Sequence, residues 1–325
     1  MKYDLKLNTP IDARSAGKTL ISAIAERFSY HPVSFWQAKI DTGQILINGQ
    51  KAEPEQVLTI GDDLCFEIEN FEEPDIDTDY QTIWRNEYLL LVNKPAGLPV
   101  HSTRRFYYQT LIAAIRRHEG TIDINPLQRL DRETSGLMFL CRTSIAPRKL
   151  KKNFKDYLQG KYYLGMVRQI FPWEKIIVEQ PLKESLMPPV RYKMVVADDG
   201  KTARSVFFRL AYGDGCSLLL IRLETGRKHQ IRAHLEHLGH SLIGEKLYFK
   251  DGHYFLKRCD DNLSESDQAE LGSKNHLLHA YAIKAAFPGL APQTYFAERT
   301  SEEFANYLQR FPGWQEAAKA IIAEN

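Results

Sequence analysis

The stretch Leu127-Gln128-Arg129-Leu130-Asp131-Arg132-Glu133-Thr134-Ser135-Gly136-Leu137 constrains this chain more than any other. It sets one carboxylate between two arginines and runs directly into Leu137-Met138-Phe139-Leu140-Cys141. A continuous apolar run after a turn glycine reads as a buried strand. A loop carried on such a strand is where chemistry tends to sit. Asp131 is therefore a candidate nucleophile, with arginines that keep it ionised and hold a polyanionic substrate. The plainer reading is a turn aspartate in a surface ion pair, and an Arg-Leu-Asp triplet alone favours it. The rest of the chain decides between them.

At 325 residues the chain can build a large core, expected as one main domain and a small one. Apolar residues make up 43% and charged ones 26%, which excludes a disordered polymer. No apolar run approaches the roughly 20 residues of a membrane span. No signal core follows Met1-Lys2-Tyr3-Asp4, so a cytoplasmic location is expected. Cys65, Cys141, Cys216 and Cys259 are scattered without a Cys-x-x-Cys pair, which suits reduced thiols and lends no support to a zinc site. Residues 1–80 hold 7 Lys/Arg against 15 Asp/Glu, whereas 81–325 hold 36 against 26. The cationic body suggests a polyanionic partner.

Along the chain, residues 1–12 alternate weakly and predict a strand. Leu20, Ile24 and Phe28 fall at helical spacing, and Phe35 to Ile40 predict a second helix with Ser34 as N-cap and Gly43 as its stop. Asn48-Gly49 after Ile45-Leu46-Ile47 is a strong hairpin signal. Two helices followed by a strand with Ile-Asn-Gly are similar to the small αL RNA-binding module, assigned here to residues 1–72. Lys39 is the sole clear cation on the helix that such a module would lay on RNA. Residues 73–82 are acidic, contain Pro74, and read as a linker.

Residues 83–325 read as a single α/β body. Strands are expected at Tyr88–Val92, Lys161–Val167, Ser205–Leu210, Ser217–Leu223 and Leu277–Ala286. Helices are expected at Thr110–His118, at Ala146–Leu158 (strongly basic), at about Lys228–Leu238, and after a capping box at Thr300 to Glu303. Residues 250–275, with Asp260, Asp261, Ser264, Glu265 and Asp267, read as a polar, mobile insertion. Strand-rich segments with few βαβ alternations favour α+β with a central mixed or antiparallel sheet and flanking helices.

Two further stretches carry chemistry. Gly226-Arg227-Lys228-His229-Gln230-Ile231-Arg232-Ala233-His234-Leu235 brings three cations to a strand-to-helix turn, where free N–H groups favour anions. His229, His234, His237 and His240 lack the His-Glu-x-x-His spacing of a metal site and read as packing or phosphate-contacting residues. In Lys161-Tyr162-Tyr163-Leu164-Gly165-Met166-Val167, Tyr163 and Gly165 share one strand face, leaving room for a flat ligand.

Together these stretches resemble the RluA family of pseudouridine synthases. The family's Arg-Leu-Asp, then Thr-Ser-Gly two residues on, is Arg129 to Gly136 here. Asn-Lys-Pro-Ala-Gly stands at Asn93 to Gly97, Lys-x-Tyr at Lys161 and Tyr163, Gly-Arg-x-His-Gln-Ile-Arg-x-His-Leu at Gly226 to Leu235, and Leu-Leu-His-Ala at Leu277 to Ala280. The stretch Gly244 to Tyr248 also matches, and the resemblance covers residues 83–288. Gln128 departs from it, since a histidine is usual there, and Gly165 stands where alanine is typical.

The resemblance implies a pseudouridine synthase fold and isomerisation of uridine to pseudouridine in structured RNA, without metal or organic cofactor. It implies large-subunit ribosomal RNA first and transfer RNA second, and a monomer. Asp131 would be the nucleophile, forming an intermediate with ribose or base. Arg232 would pair with it, a contact of roughly 4 kcal/mol at about 4 Å and an effective dielectric near 20. Tyr163 would lie against the uracil and help remove the ring-carbon proton. Leu278 would pack beneath the site and exclude water. Arg129 would fill the space left by the everted nucleotide. Lys149, Lys151, Lys152, Arg227, Lys228, His229 and Gln230 would contact RNA. Two other readings compete: a non-catalytic RNA-binding protein on the same fold, and an Asp-based glycosidase with Glu133 as second carboxylate.

Overall fold

The computed structural model describes residues 2–28, 31–103, 105–187, 190, 193–259 and 262–325. The chain divides into two compact units, Met1–Asp75 and Ile76–Asn325. In the first, β1 (Lys2–Pro10), α1 (Leu20–Arg27), α2 (Val33–Asp41), β2 (Ile45–Ile47), β3 (Gln50–Lys51) and β4 (Asp63–Glu72) form an antiparallel sheet of order β1-β4-β2-β3 under two helices. Leu20, Ile24, Trp36, Ile40, Ile45 and Leu64 are its core. Asn48 and Gly49, at φ 54° and 77°, make the tight turn between β2 and β3 that the Asn-Gly pair predicts. Helix α2 begins at Val33 with Pro32 as N-cap, so Ser34 lies inside the first turn and is not the cap. The ring of Pro32 already fixes an extended entry at φ −68°.

The second unit runs through β5 (Gln81–Arg85), β6 (Leu89–Lys94), α3 (Leu111–Glu119), β7 (Asn125–Pro126), β8 (Ser135–Cys141), α4 (Arg148–Lys152) and β9 (Leu158–Arg168). It continues with β10 (Lys175–Val178), β11 (Leu182–Glu184), β12 (Met194–Val196), β13 (Ser205–Gly213), β14 (Cys216–Leu223) and α5 (Gln230–His237). Last come α6 (His253–Cys259), α7 (Glu265–Leu271), β15 (Leu278–Ala285), β16 (Gln293–Phe296), α8 (Glu302–Leu308) and α9 (Trp314–Glu324). The main sheet has the order β10-β13-β14-β9-β15-β8-β6-β5, with β16 on β15 and β7 on β8. Its pairs are antiparallel except β15 with β8, where His279 faces Ser135 and Ala280 faces Gly136. The sheet is mixed, as expected.

Alternation along β9 explains the layers. Tyr162, Leu164 and Met166 meet Phe304, Leu308, Ala318 and Ile322 of α8 and α9 on one face. Val167 meets Ile231 and Leu235 of α5 on the other, with Tyr163 packed at its edge. Strand β8 is buried along its whole length, as its apolar run requires.

Three expectations need correction. The basic segment is not one helix: α4 stops at Lys152, a short 3-10 turn spans Phe154–Tyr157, and Leu158 already opens β9. Burial of Phe154 against Phe139 and Phe287 anchors this turn. Residues 250–275 contain α6 and α7, tied together by Lys257 on Asp267 at 2.8 Å, and α7 opens on a capping box at Ser264; Asp260 and Asp261 lie outside the described residues. The stretch 73–82 is divided, because Ile76 and Tyr80 pack against the apolar cluster of Leu98 and Ile115, and β5 begins at Gln81.

The parallel contact between β8 and β15 is closely fitted. Gly136 has φ +107°, and a Cβ there would stand 2.4 Å from the Ala280 carbonyl oxygen. Beside it, the Ser135 hydroxyl and His279 Nδ1 are 2.8 Å apart, and His279 Nε2 is 2.8 Å from the Ala297 carbonyl. Burial holds His279 down to about 4.

Gly136→Ala is expected to cost at least about 2 kcal/mol of unfolding free energy, read by urea denaturation. A smaller loss would show that the two backbones can separate cheaply. His279 is neutral when folded and protonates near pH 6.5 when unfolded, so the unfolded state binds the extra proton. Its contribution is present at neutral pH and is lost between about 6.5 and about 4. Urea midpoints should therefore fall over that window, and His279→Gln should flatten the fall.

Candidate active site

The loop from Arg129 to Thr134 is held from beneath by backbone and side-chain contacts. The Thr134 N–H donates to the Asp131 carbonyl at 3.2 Å, and the Thr134 hydroxyl pairs with His276 Nε2 at 2.8 Å. Lys94, wholly buried at the end of β6, donates to the carbonyls of Pro95, Leu98 and Arg132 at 2.8, 2.9 and 3.0 Å. Burial pulls its ammonium down to about 7. One side chain thus joins the Asn-Lys-Pro-Ala-Gly turn to the residue after Asp131.

Across the loop, α5 carries Arg232. Its Nη1 donates to Asp131 Oδ2 at 2.7 Å, while Nε and Nη2 fork onto Glu245 Oε2 and Oε1, each at 2.7 Å. Glu245 also accepts from the backbone N–H groups of Leu247 and Tyr248. The guanidinium lies 5.3 Å from the Tyr248 ring centroid. Burial opposes the ionised form of Asp131, but His229, Arg232 and His276 overcome it and hold the carboxyl well below the usual range. His229 is itself held down to about 4, first by burial, so Arg232 supplies the positive charge at neutral pH. Asp131 keeps 27% of its side chain exposed, against 9% for Arg232 and 1% for Glu245. An incoming group can therefore reach the anion while the groups that stabilise it stay dry.

Tyr163 lies on β9 between Ile221 of β14 and Ala280 of β15. Burial and the charge of Asp131 both push its hydroxyl up, which makes it a phenol at neutral pH. A phenol can lie against a base and donate a hydrogen bond. Removing a proton as phenolate is disfavoured, and that part of the expectation weakens. Gly165 does not open a slot. Its absent Cβ would be 2.9 Å from Ile221 Cδ1, 3.4 Å from Leu242 Cδ2 and 3.7 Å from Leu278 Cδ1, so these side chains form an apolar floor. Leu278 is buried in it with Tyr163 packed alongside.

Asp131, Arg232, Tyr163 and Leu278 thus come together, and His229 joins them with Nε2 3.6 Å from Asp131 Oδ1. Arg129 is exposed on the same loop. Gln230 is different: it is buried, receiving the Thr225 hydroxyl and the Arg227 N–H and donating to Arg204 and Ser205. It braces the turn and leaves no group for RNA. Lys149 and Lys152 are exposed, whereas Lys151 donates to the Thr143 carbonyl at 2.7 Å. Arg227 and Lys228 are exposed and contact Thr202 and Glu184. His234 and His240 bond to Gln180 and Arg168 carbonyls, a packing role, and among the described residues no cluster of three or more His, Cys, Asp or Glu is placed to hold a metal.

Sequence reasoning missed Glu245 and Lys94, although both stand inside stretches it had singled out. No local signal shows that Glu245 meets Arg232, because the contact forms only when the turn after α5 folds back. Glu133 is not a second catalytic carboxylate. Its buried oxygens meet Lys246, Arg258 and the His276 N–H, which removes the glycosidase reading's partner.

The chain is similar in sequence and in fold to known proteins. A model of the family described as RNA pseudouridylate synthase matches residues 88–237. The chain is 30% identical over 271 residues to the mitochondrial tRNA pseudouridine(32) synthase of Saccharomyces cerevisiae, covering 82% of this chain and 57% of that protein. It is 30% identical over 233 residues to an uncharacterized RNA pseudouridine synthase of Synechocystis sp., covering 72% and 80%. It is 33% identical over 192 residues to ribosomal large subunit pseudouridine synthase D of Zymomonas mobilis, covering 55% and 60%. The chain thus spans less than two thirds of the yeast and Zymomonas relatives. In fold it is similar to human RNA pseudouridylate synthase domain containing 4, with a TM-score of 0.53 at 20% identity over 71% of this chain and 92% of that one. By family match, identity and fold together, this chain belongs to the RNA pseudouridylate synthase family.

Proposed function

We propose that the protein isomerises uridines in structured RNA to pseudouridine, with Asp131 as the nucleophile. The observation that carries this is the exposed edge of an Asp131 carboxylate held ionised by a buried Arg232, itself fixed by Glu245. Burial alone would neutralise such a carboxyl, and a reachable carboxylate kept ionised is suited to attack as a nucleophile or to stabilise a cation.

The chemistry balances within the substrate. The bond between N1 and the ribose carbon breaks as an Asp131 oxygen engages the ribose or the base. The uracil turns against Tyr163 on the floor of Leu278, C5 joins the ribose carbon, and the bond to the Asp131 oxygen breaks so that the free carboxylate is restored. C5 then loses its proton and N1 gains one, so nothing is added overall. A dry floor keeps the detached base from water. Arg129 fills the gap in the RNA stack, and Lys149, Lys152, Arg227 and Lys228 bind backbone.

Ribosomal RNA of the large subunit is the first proposed substrate and transfer RNA the second. The named relatives include one of each kind. We place the reaction in the cytoplasm, carried out by a monomer; the free cysteines suit a reducing compartment. The N-terminal unit is proposed as an accessory to RNA contact and not as its main source. Its Lys39 is held by Gln44 at 2.8 Å, and the unit is acidic.

Asp131→Asn should abolish pseudouridine formation while RNA binding survives, measured by carbodiimide mapping and filter binding on ribosomal and transfer RNA. Product at the normal rate would sink the assignment. Arg232→Lys keeps a charge but loses the fork, and should lower the single-turnover rate by at least about 10²-fold. Glu245→Gln should lower it less, since the guanidinium keeps its contact to Asp131; an equal loss would mean that Glu245 acts directly.

A further inference from the structure

Glu133 stands two residues after Asp131, and nothing in the reaction uses it. Its buried carboxylate meets three cations at once. Lys246 Nζ is 2.9 Å from Oε2, Arg132 Nη2 is 3.5 Å from Oε1, and Arg258 Nη1 contacts the same Oε1. One negative charge cannot neutralise all three.

Lys246 is the buried member, and it also donates to the Gly244 and Lys274 carbonyls at 3.1 and 2.7 Å. The uncompensated charge therefore falls on the two arginines. Their side chains remain 36% and 30% exposed. Among the described residues, the neighbouring acids Asp131 and Glu245 are engaged by Arg232.

The two guanidiniums come from distant parts of the chain, the catalytic loop and helix α6, and meet on one oxygen atom. Each has an aromatic neighbour: Phe106 lies 5.6 Å from Arg132, and Phe255 lies 4.9 Å from Arg258. Such rings limit the freedom of a guanidinium without neutralising it. Among the described residues Glu133 takes one N–H from each arginine, leaving the other donors of each planar fork. Paired, under-neutralised guanidiniums about one third exposed match the oxygens of a phosphodiester better than any neutral ligand.

We propose that Arg132 and Arg258 form a phosphodiester-binding cleft beside the catalytic loop. It takes an RNA backbone phosphate next to the target uridine, while Glu133 offsets only part of the charge of the pair. The inference rests on the proposed RNA reaction for its ligand. It also gives residues 250–275 a role, because α6 delivers a cation to the rim of the active site. This segment thereby helps choose which RNA backbone path is accepted.

The test is the salt dependence of binding to bulk transfer RNA between about 50 and 200 mM KCl, using the full chain. Each lost phosphate contact should flatten the plot of log K against log salt by about 0.7 to 0.9. Arg258→Ala and Arg132→Ala should each do so, and the double variant should lose about twice as much. Arg258→Lys should keep the slope. Lys319→Ala, on α9 across the sheet, is the control and should change nothing. Glu133→Gln removes the opposing negative charge but leaves both cations, so its slope should stay at the wild-type value or steepen. Circular dichroism checks that each variant folds.

An unchanged slope for Arg258→Ala would overturn the proposal, as would an equal flattening by Glu133→Gln, which would make Arg258 a mere support for the loop. Pseudouridine is not read in this experiment. A wild-type protein that showed the predicted slopes yet made no pseudouridine would refute the proposed reaction and leave the cleft standing.

Discussion

One guanidinium holds the centre of this molecule together. Arg232 gives two N–H groups to Glu245 and a third to Asp131, so that a single cation stabilises two carboxylates in a site that is largely closed to water. Removing one partner from such a buried set costs about 3 to 5 kcal/mol, because a charge is left without compensation. The arrangement also has a direction. Glu245 is more deeply buried than Asp131 and takes the bidentate face, which fixes the plane of the guanidinium. A further N–H, from Nη1, then points at Asp131, the more exposed of the two carboxylates.

The scaffold exists to keep that geometry. Strand β8 is buried on both faces and cannot shift, and it delivers the loop of Asp131 to the end of the sheet. Strand β15 lies parallel to β8 at Gly136, at a distance that only glycine tolerates, and brings Leu278 and His279 beside it. Lys94 ties the next turn to the loop through three carbonyls. Each connection places a polar group where a mobile loop would have cost the site its alignment. The charges around the loop are unequal by construction. The inner ones are matched, whereas among the described residues the outer arginines share one carboxylate with Lys246, the surplus on which the proposed phosphodiester cleft rests.

How much of this was legible before folding depends on the range of the interaction. The Asn48-Gly49 hairpin, the strand at Leu137 to Cys141 and the helix after Gly226 follow from local chemistry, because turn residues and side-chain periodicity act within a few positions. The segment from Ala146 to Leu158 misled, since its basic, helix-favouring side chains said nothing of Phe154 being drawn beneath Phe287. Tertiary packing overrode propensity there. Gln230 misled for the same reason. Beside three cations it looks like an RNA contact, but its amide is buried and completes the backbone of a turn.

The sequence by itself determined the class of fold, the acid at its centre, Arg232 as that acid's partner and Tyr163 as a strand residue brought to the same place, because those residues stand in stretches whose order and spacing are distinctive. Only the tertiary structure decided which acid anchors Arg232, that Glu133 faces away from the chemistry, and that helix α6 lends Arg258 to the catalytic loop. The physical reason is that hydrogen bonds and ion pairs between remote segments are chosen by distance and burial. Neither quantity is written in the order of the residues, and both appear only once the sheet has closed.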